Sequence, residues 1–160
     1  MGHDLTIEVT DWSAQVDLPA ESAAAATVTA RFDLGSLAVR EGAGGVRPLT
    51  EQDRREIEEN ARRSLGVDHH PIATFQSGEM APAAGGGTIT GALTVHGTAA
   101  PIELRVRELA PDRYRGTAVV RQSAHGIKPY SAFLGALKLR DEVEVQIEVD
   151  LAAAERVDLP

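Results

Sequence analysis

An all-β chain with a single helix is the fold class this sequence predicts, and three observations predict it. The first is alternation. Ile89, Leu93 and Val95 alternate with Thr88, Thr90, Ala92 and Thr94. Beyond a short Gly- and Pro-marked connection, Ile102, Leu104 and Val106 alternate with Glu103, Arg105 and Arg107. Strict alternation puts one set on a buried face and the other in water, so this stretch is an antiparallel hairpin. The second is that a helical period occurs once, over Thr50 to Leu65; parallel strands would need repeated helical crossovers. The third is the number of extended segments, about eight short strands set apart by turn signals, which is the pattern of a sandwich or a closed barrel.

In chain order, Asp4 to Thr10 is the first strand, with Leu5, Ile7 and Val9 on one face. Trp12, Ala14, Val16 and Leu18 continue the alternation on the opposite parity. That shift requires a bulge or tight bend near Thr10 and Asp11, since a slip without one turns the apolar face outward. Pro19 to Ser22 is a turn, after which Val28, Ala30 and Phe32 face inward. From Leu34 to Val46 the rhythm is lost and the chain becomes Gly-rich. No Gly-Lys-Ser end follows, so this is a flexible connection and not a phosphate loop. Thr50 serves as N-cap with Asp53 at the third helical position, a capping box, and Gly66 stops the helix. Ile57, Ala61 and Leu65 form one narrow apolar stripe on a charged helix, which therefore docks through one edge. Ile72 to Ser77 is extended, Ala81 to Gly87 is a small-residue loop, and Arg113 to Ser123 is a strand after the central hairpin. His125 to Gly135 is irregular. Val143, Val145, Ile147 and Val149 against Glu142, Glu144, Gln146 and Glu148 make the last strand, its glutamates facing water.

The 160 residues are read as one domain, 1–160, with the helix as an insert at about 50–65. Such a domain buries roughly 70% of its unfolded surface and needs no staples. Cysteine is absent, which excludes disulfides, thiolate catalysis and Cys-based zinc sites. Sixteen basic against twenty-four acidic residues give a net charge of −8. Phosphate backbones and anionic membrane surfaces repel such a chain, so nucleic acid is not expected as a partner. The sequence has no long apolar run and no basic-then-apolar leader, so neither stable membrane insertion nor export is expected, and the expected location is cytoplasmic.

The segment Leu93-Thr94-Val95-His96-Gly97, with Pro101 shortly after, resembles the signature hairpin of the YceI-like family. Three further segments resemble that family in the same order. Gly2-His3-Asp4-Leu5 opens the match. Val67 to Ser77 is similar to the family's helix exit and its Pro-x-x-x-Phe-x-Ser strand, and Tyr130 to Val143 is similar to its closing strand pair. The resemblance covers nearly the whole chain. It implies a lipocalin-like antiparallel β-barrel of about eight strands that binds a long isoprenoid lipid, with eight strands able either to fill with side chains or to hold one ligand. Two departures stand out. Family members carry one more strand before the Gly2-His3-Asp4 segment. The barrel is therefore expected to be open beside Asp4–Thr10, completed by an upstream extension or by pairing in a homodimer. The charged insert Arg40–Leu65 is also longer than in the simplest members and marks a subgroup whose ligand need not be that of the founders.

The inward parity of each strand, taken with the resemblance, predicts a hydrophobic tunnel lined by Ile7, Val9, Phe32, Phe75, Leu93, Val95, Ile102 and Leu104. Small inward residues such as Ala14, Ala30 and Gly91 leave room. The irregular stretch supplies the expected mouth, Ile127 to Leu134, with Tyr130, Phe133 and Leu134 at the entry and Lys128 meeting a phosphate or quinone oxygen. The competing reading of that stretch is a loop capping the barrel end and completing the core.

No Gly-x-Ser-x-Gly elbow is present. His69 and His70 are neighbours that on a strand point to opposite faces, so they cannot share an ion. His3, His96 and His125 could meet only through the fold, and His96 is read as a turn residue hydrogen-bonded to local backbone. No cofactor and no catalytic residue is expected. The leading function is non-enzymatic binding, transport or sequestration of an apolar isoprenoid- or quinone-like lipid. The alternative is a protein-interaction or stress-associated module with a filled barrel, acting through the Arg40–Leu65 insert. A metal-assisted enzyme built on the three separated histidines is the third.

Overall fold

The structure, a computed structural model, describes residues 4–43, 48–132, 137–138 and 140–154, giving the backbone course alone at 4, 41–43, 131–132 and 137–138. In chain order the strands are β1 (Asp4–Val9), β2 (Trp12–Asp17), β3 (Thr27–Asp33) and β4 (Leu37–Ala43). After helix α1 (Glu51–Ser64) come β5 (Ile72–Ala83), β6 (Gly86–Val95), β7 (Thr98–Ala110) and β8 (Arg113–Arg121). Two very short strands, β9 (Ser131–Ala132) and β10 (Leu137–Lys138), and then β11 (Glu142–Asp150) follow.

Seven strands form one antiparallel sheet in the order β11-β8-β7-β6-β5-β3-β2, curled into a half-barrel. The predicted central hairpin is there, paired from Gly86–Arg107 to Val95–Thr98. Its turn is His96-Gly97, with φ of 55° and 72°. Two consecutive positive φ values match the right-handed twist of the flanking strands. Every neighbour in the sheet is antiparallel, so β2 and β11, first and seventh, run parallel to each other. Neither carries a second partner strand among the described residues.

The shift of parity at Thr10-Asp11 is a real bend. β1 leaves the main sheet there and pairs with β4, Asp4 opposite Ala43 through Val9 opposite Leu37. The segment between β3 and β4 bends at the same level through a 3-10 turn at Leu34–Ser36. The Ser36 carbonyl accepts from the Thr10 hydroxyl at 3.0 Å, and its own hydroxyl accepts from the Asp11 amide at 2.9 Å. The other edge of β1 has no partner strand among the described residues.

Three expectations need correction. Leu34 to Val46 is not only a connection, because β4 runs from Leu37 to Ala43. Its two large apolar positions, Leu37 and Val39, are too few to set a rhythm, and the strand is held by backbone pairing with β1 and by α1. Ala81 to Gly87 is not a loop. β5 and β6 run into it and leave only Ala84-Gly85 as the turn. Gly85, Gly86 and Gly87 adopt φ between 73° and 155°, and at Gly86 and Gly87 a side chain would strike the facing backbone. The stretch 125–135 is likewise not wholly irregular, since Ser131-Ala132 pairs with Leu137-Lys138.

Helix α1 has the expected cap. The Thr50 hydroxyl accepts from the Asp53 amide at 3.1 Å, and the Asp53 carboxylate accepts from the Thr50 amide at 2.9 Å. Its charged residues are not all solvated, however. Glu58 accepts the Val39 amide at 3.0 Å, Arg54 donates to the Val39 and Arg40 carbonyls, and Arg62 donates to the Gly35 and Leu37 carbonyls. The outer edge of β4 is thus closed by helix side chains in place of a strand, which removes an exposed pairing edge.

Candidate functional site

Residues opposite one another in a sheet share a face, so the register identifies the concave surface. Trp12 faces Phe32, which faces Ala73. Phe75 faces Leu93, Gly91 faces Ile102, and Ile89 faces Leu104. Val143, Val145 and Ile147 of β11 face Val120, Ala118 and Gly116 of β8. The concave surface is therefore apolar from edge to edge. The glutamates of β11 lie on the convex side as expected, Glu148 paired with Arg115 at 2.6 Å and Glu142 with Arg121 at 3.2 Å.

One end of this surface is plugged. Leu34, Ala73, Val95 and Ile127 form a buried cluster, with Val9, Phe32, Leu65, Val67 and Leu93 packed against it. Leu65 and Val67 are delivered by the end of α1, where Gly66 at φ 63° turns the chain. Ile127 is held by its amide to the Gln122 carbonyl at 3.1 Å. His125 is buried beside it, Nδ1 at 2.8 Å from the Thr98 carbonyl; since a carbonyl only accepts, Nδ1 carries the proton.

The residues expected to line a tunnel are sorted by this arrangement. Phe32, Phe75, Leu93, Val95, Ile102 and Leu104 share the concave face; of these Phe32, Leu93 and Val95 belong to the plug. Ile7 and Val9 lie on β1 opposite Val39 and Leu37, Val9 touching the plug and Ile7 partly exposed. Ile127, expected at a mouth, is 4% exposed and belongs to the plug. Lys128 and Tyr130 are exposed. Phe133 and Leu134 lie outside the described residues, as does His3.

Room left by small residues is partly taken. A Cβ on Gly91 would stand 2.8 Å from the Phe75 ring, and one on Gly116 would stand 2.8 Å from Leu104 Cδ2. Both side chains therefore occupy the space beside a glycine of the adjacent strand. The reading by parity missed Trp12, Val143 and Val145, although the same alternation marks them. Trp12 stacks on Phe32 with ring centroids 6.2 Å apart. All three remain markedly exposed, at 38%, 42% and 38%.

Other chemistry is sparse. His70 and His96 meet edge-on at 5.2 Å. Among the described residues no three His, Asp or Glu converge as ligands for a metal ion, and no helix is long and apolar enough to cross a membrane. At the end opposite the plug, Leu109, Arg113, Tyr114, Glu148, Val149 and Asp150 line an open cleft of about 240 Å³. Asp141 accepts from the Ser123 hydroxyl at 2.5 Å and from its amide at 2.7 Å. These two bonds hold its carboxyl below the usual aspartate range, slight desolvation opposing and Arg121 assisting.

A family model of the YceI-like domain matches residues 1–151. No curated protein matches the chain. Among solved structures, Burkholderia cenocepacia BcnA is similar at a TM-score of 0.64 and 20% identity, over 89% of this chain and 85% of that one. The Campylobacter jejuni YCEI protein is similar at 0.68 and 16% identity, over 91% and 83%. These likenesses show the fold.

Proposed function

The chain belongs to the YceI-like domain family, and from that premise we propose that it is a non-enzymatic carrier binding an apolar, isoprenoid-type lipid along the concave face of its curled sheet. One observation carries the reading. The concave face is apolar from β2 to β11, yet Trp12, Val143 and Val145 on it stay exposed, where a filled barrel would cover them. An exposed apolar surface of this kind marks a binding site. Each methylene removed from water contributes about 0.8 kcal/mol, so a chain of several isoprene units can bind without catalytic groups. Lys128 and Tyr130, both exposed, are the polar groups that would meet a head group.

The alternative of an interaction module acting through the Arg40–Leu65 insert is less well supported. Three of its charges, Arg54, Glu58 and Arg62, are bonded to β4 and the turn before it, and no apolar patch on the helix stays exposed among the described residues. The test is native mass spectrometry of the purified chain with and without added geranylgeraniol. A one-to-one complex is the expected result, and saturating geranylgeraniol without a complex would remove the carrier reading.

A further inference from the structure

We propose that His70 and His96 form a two-histidine site for a divalent transition ion such as Zn2+, seated over Gly66 where the helix exit meets the hairpin turn. The two residues arrive from different elements. His70 ends the loop after α1, and the Gly66 carbonyl fixes that loop by accepting the His69 amide at 3.0 Å and the His70 amide at 2.8 Å. His96 stands in the β6–β7 turn at φ 55°. Both residues are half-buried, and their rings meet edge-on, centroids 5.2 Å apart and planes inclined at 61°. Each ring lies across a glycine of the other's segment. A Cβ on Gly66 would stand 3.0 Å from His96 Nε2 and 3.8 Å from His70 Cδ2, and one on Gly97 would stand 3.1 Å from His70 Nδ1. Both glycines have positive φ, 63° and 72°, a conformation that other residues rarely adopt. The space over Gly66 is thus kept free of a side chain of its own.

Free nitrogens make the pair a ligand set. Among the described residues neither ring hydrogen-bonds to the protein, so the local backbone bond expected of His96 is not made. His125, by contrast, commits its Nδ1 to the Thr98 carbonyl. Neutral imidazole is the commonest metal ligand in proteins and suits zinc, copper and nickel. The space over Gly66 is bordered by His96 Nε2 and by the Cδ2 edge of His70, and Nε2 is the ring nitrogen next to that Cδ2. The last side-chain torsion of histidine is broad, so ring rotation alone brings both Nε2 atoms to the about 2.0–2.1 Å of a Zn–N bond. Two protein ligands leave two tetrahedral positions for water, which makes the site an open, reversible one. Bound there, the ion ties together the two segments that carry Leu65, Val67 and Val95 into the plug. Only the folded chain holds the rings together, so the ion stabilises the fold by mass action.

The full chain, free of any histidine tag, is titrated with ZnCl2 by calorimetry while the thermal midpoint is followed in parallel. One Zn2+ per chain and a raised midpoint are the expected results. His70→Ala and His96→Asn should each weaken binding at least tenfold and abolish the rise in midpoint. Asn tolerates positive φ, so His96→Asn preserves the turn and carries the test should His70→Ala fail to fold by circular dichroism. His69→Ala, beside the site, and His3→Ala, near the start of the chain, should leave binding unchanged. In NMR spectra the imidazole nitrogens of His70 and His96 should shift together as Zn2+ is added. Zinc binding that survives either His70→Ala or His96→Asn overturns the inference, since the two rings then do not share the ion. Absence of binding at millimolar Zn2+ overturns it as well.

Discussion

Phe75 and Leu104 each rest against a glycine of the adjacent strand, Gly91 and Gly116. A Cβ on Gly91 would come 2.3 Å from the Gln76 carbonyl oxygen as well as into the Phe75 ring. Backbone cannot yield there as a flexible side chain would. Gly91→Ala should therefore destabilise the protein by about 1–3 kcal/mol, read as a lowered thermal midpoint. Asp141 gives a second residue-level expectation. Its folded pKa lies below the ordinary aspartate value, so the stability it contributes is fully present above that ordinary value. It is lost as pH falls through the depressed folded value. Ser123→Ala, which removes the hydroxyl donor, should move the Asp141 titration upward, and an NMR titration of that carboxyl checks the direction. At this scale the sequence told which residue types alternate but not which side chain would fill the space beside a glycine. Gly91 was legible as space; that Phe75 fills it depends on a cross-strand neighbour sixteen positions away.

Helix α1 shows what an element's sequence reveals and what it withholds. Its start, cap and stop are local chemistry, and Thr50, Asp53 and Gly66 announced them. Its task as the closing edge of β4 was not legible, since Glu58 and Arg62 look like any solvated helix charges until β4 is known to pass beside them. β4 itself escaped notice because edge pairing needs few apolar side chains when the helix supplies hydrogen bonds. The element-level prediction follows from that bond. Glu58→Ala leaves the Val39 amide without its acceptor, so Val39 should exchange its amide hydrogen markedly faster, while amides of the β6–β7 hairpin keep their rates. Unchanged exchange at Val39 would show that the helix does not close this edge.

Across the whole molecule, the sheet, its hairpin and its inward faces were legible because alternation is a direct record of which side meets water. The plug was legible only in part: a loop capping the barrel end was one of two readings of the aperiodic stretch around Ile127, and its junction with Leu34 and Val67 is made only by the tertiary fold. That division gives a two-sided test of whether space exists. Leu93 packs on the plug, so Leu93→Trp should overpack and lower stability by about 1–3 kcal/mol. Leu104 lies on the concave wall, so Leu104→Trp should block geranylgeraniol binding with a nearly intact thermal midpoint. A collapsed midpoint for Leu104→Trp would mean the wall is packed solid. The two-residue turns that link β5 to β8 carry one more consequence, in time. Four successive strands joined by Ala84-Gly85, His96-Gly97 and Pro111-Asp112 make short-range pairings that close at little entropic cost, whereas β11 reaches β8 only after an excursion of some twenty residues. The meander should therefore form first and β11 should dock late. In stopped-flow kinetics Gly97→Ala should slow refolding, and Val145→Ala should chiefly speed unfolding.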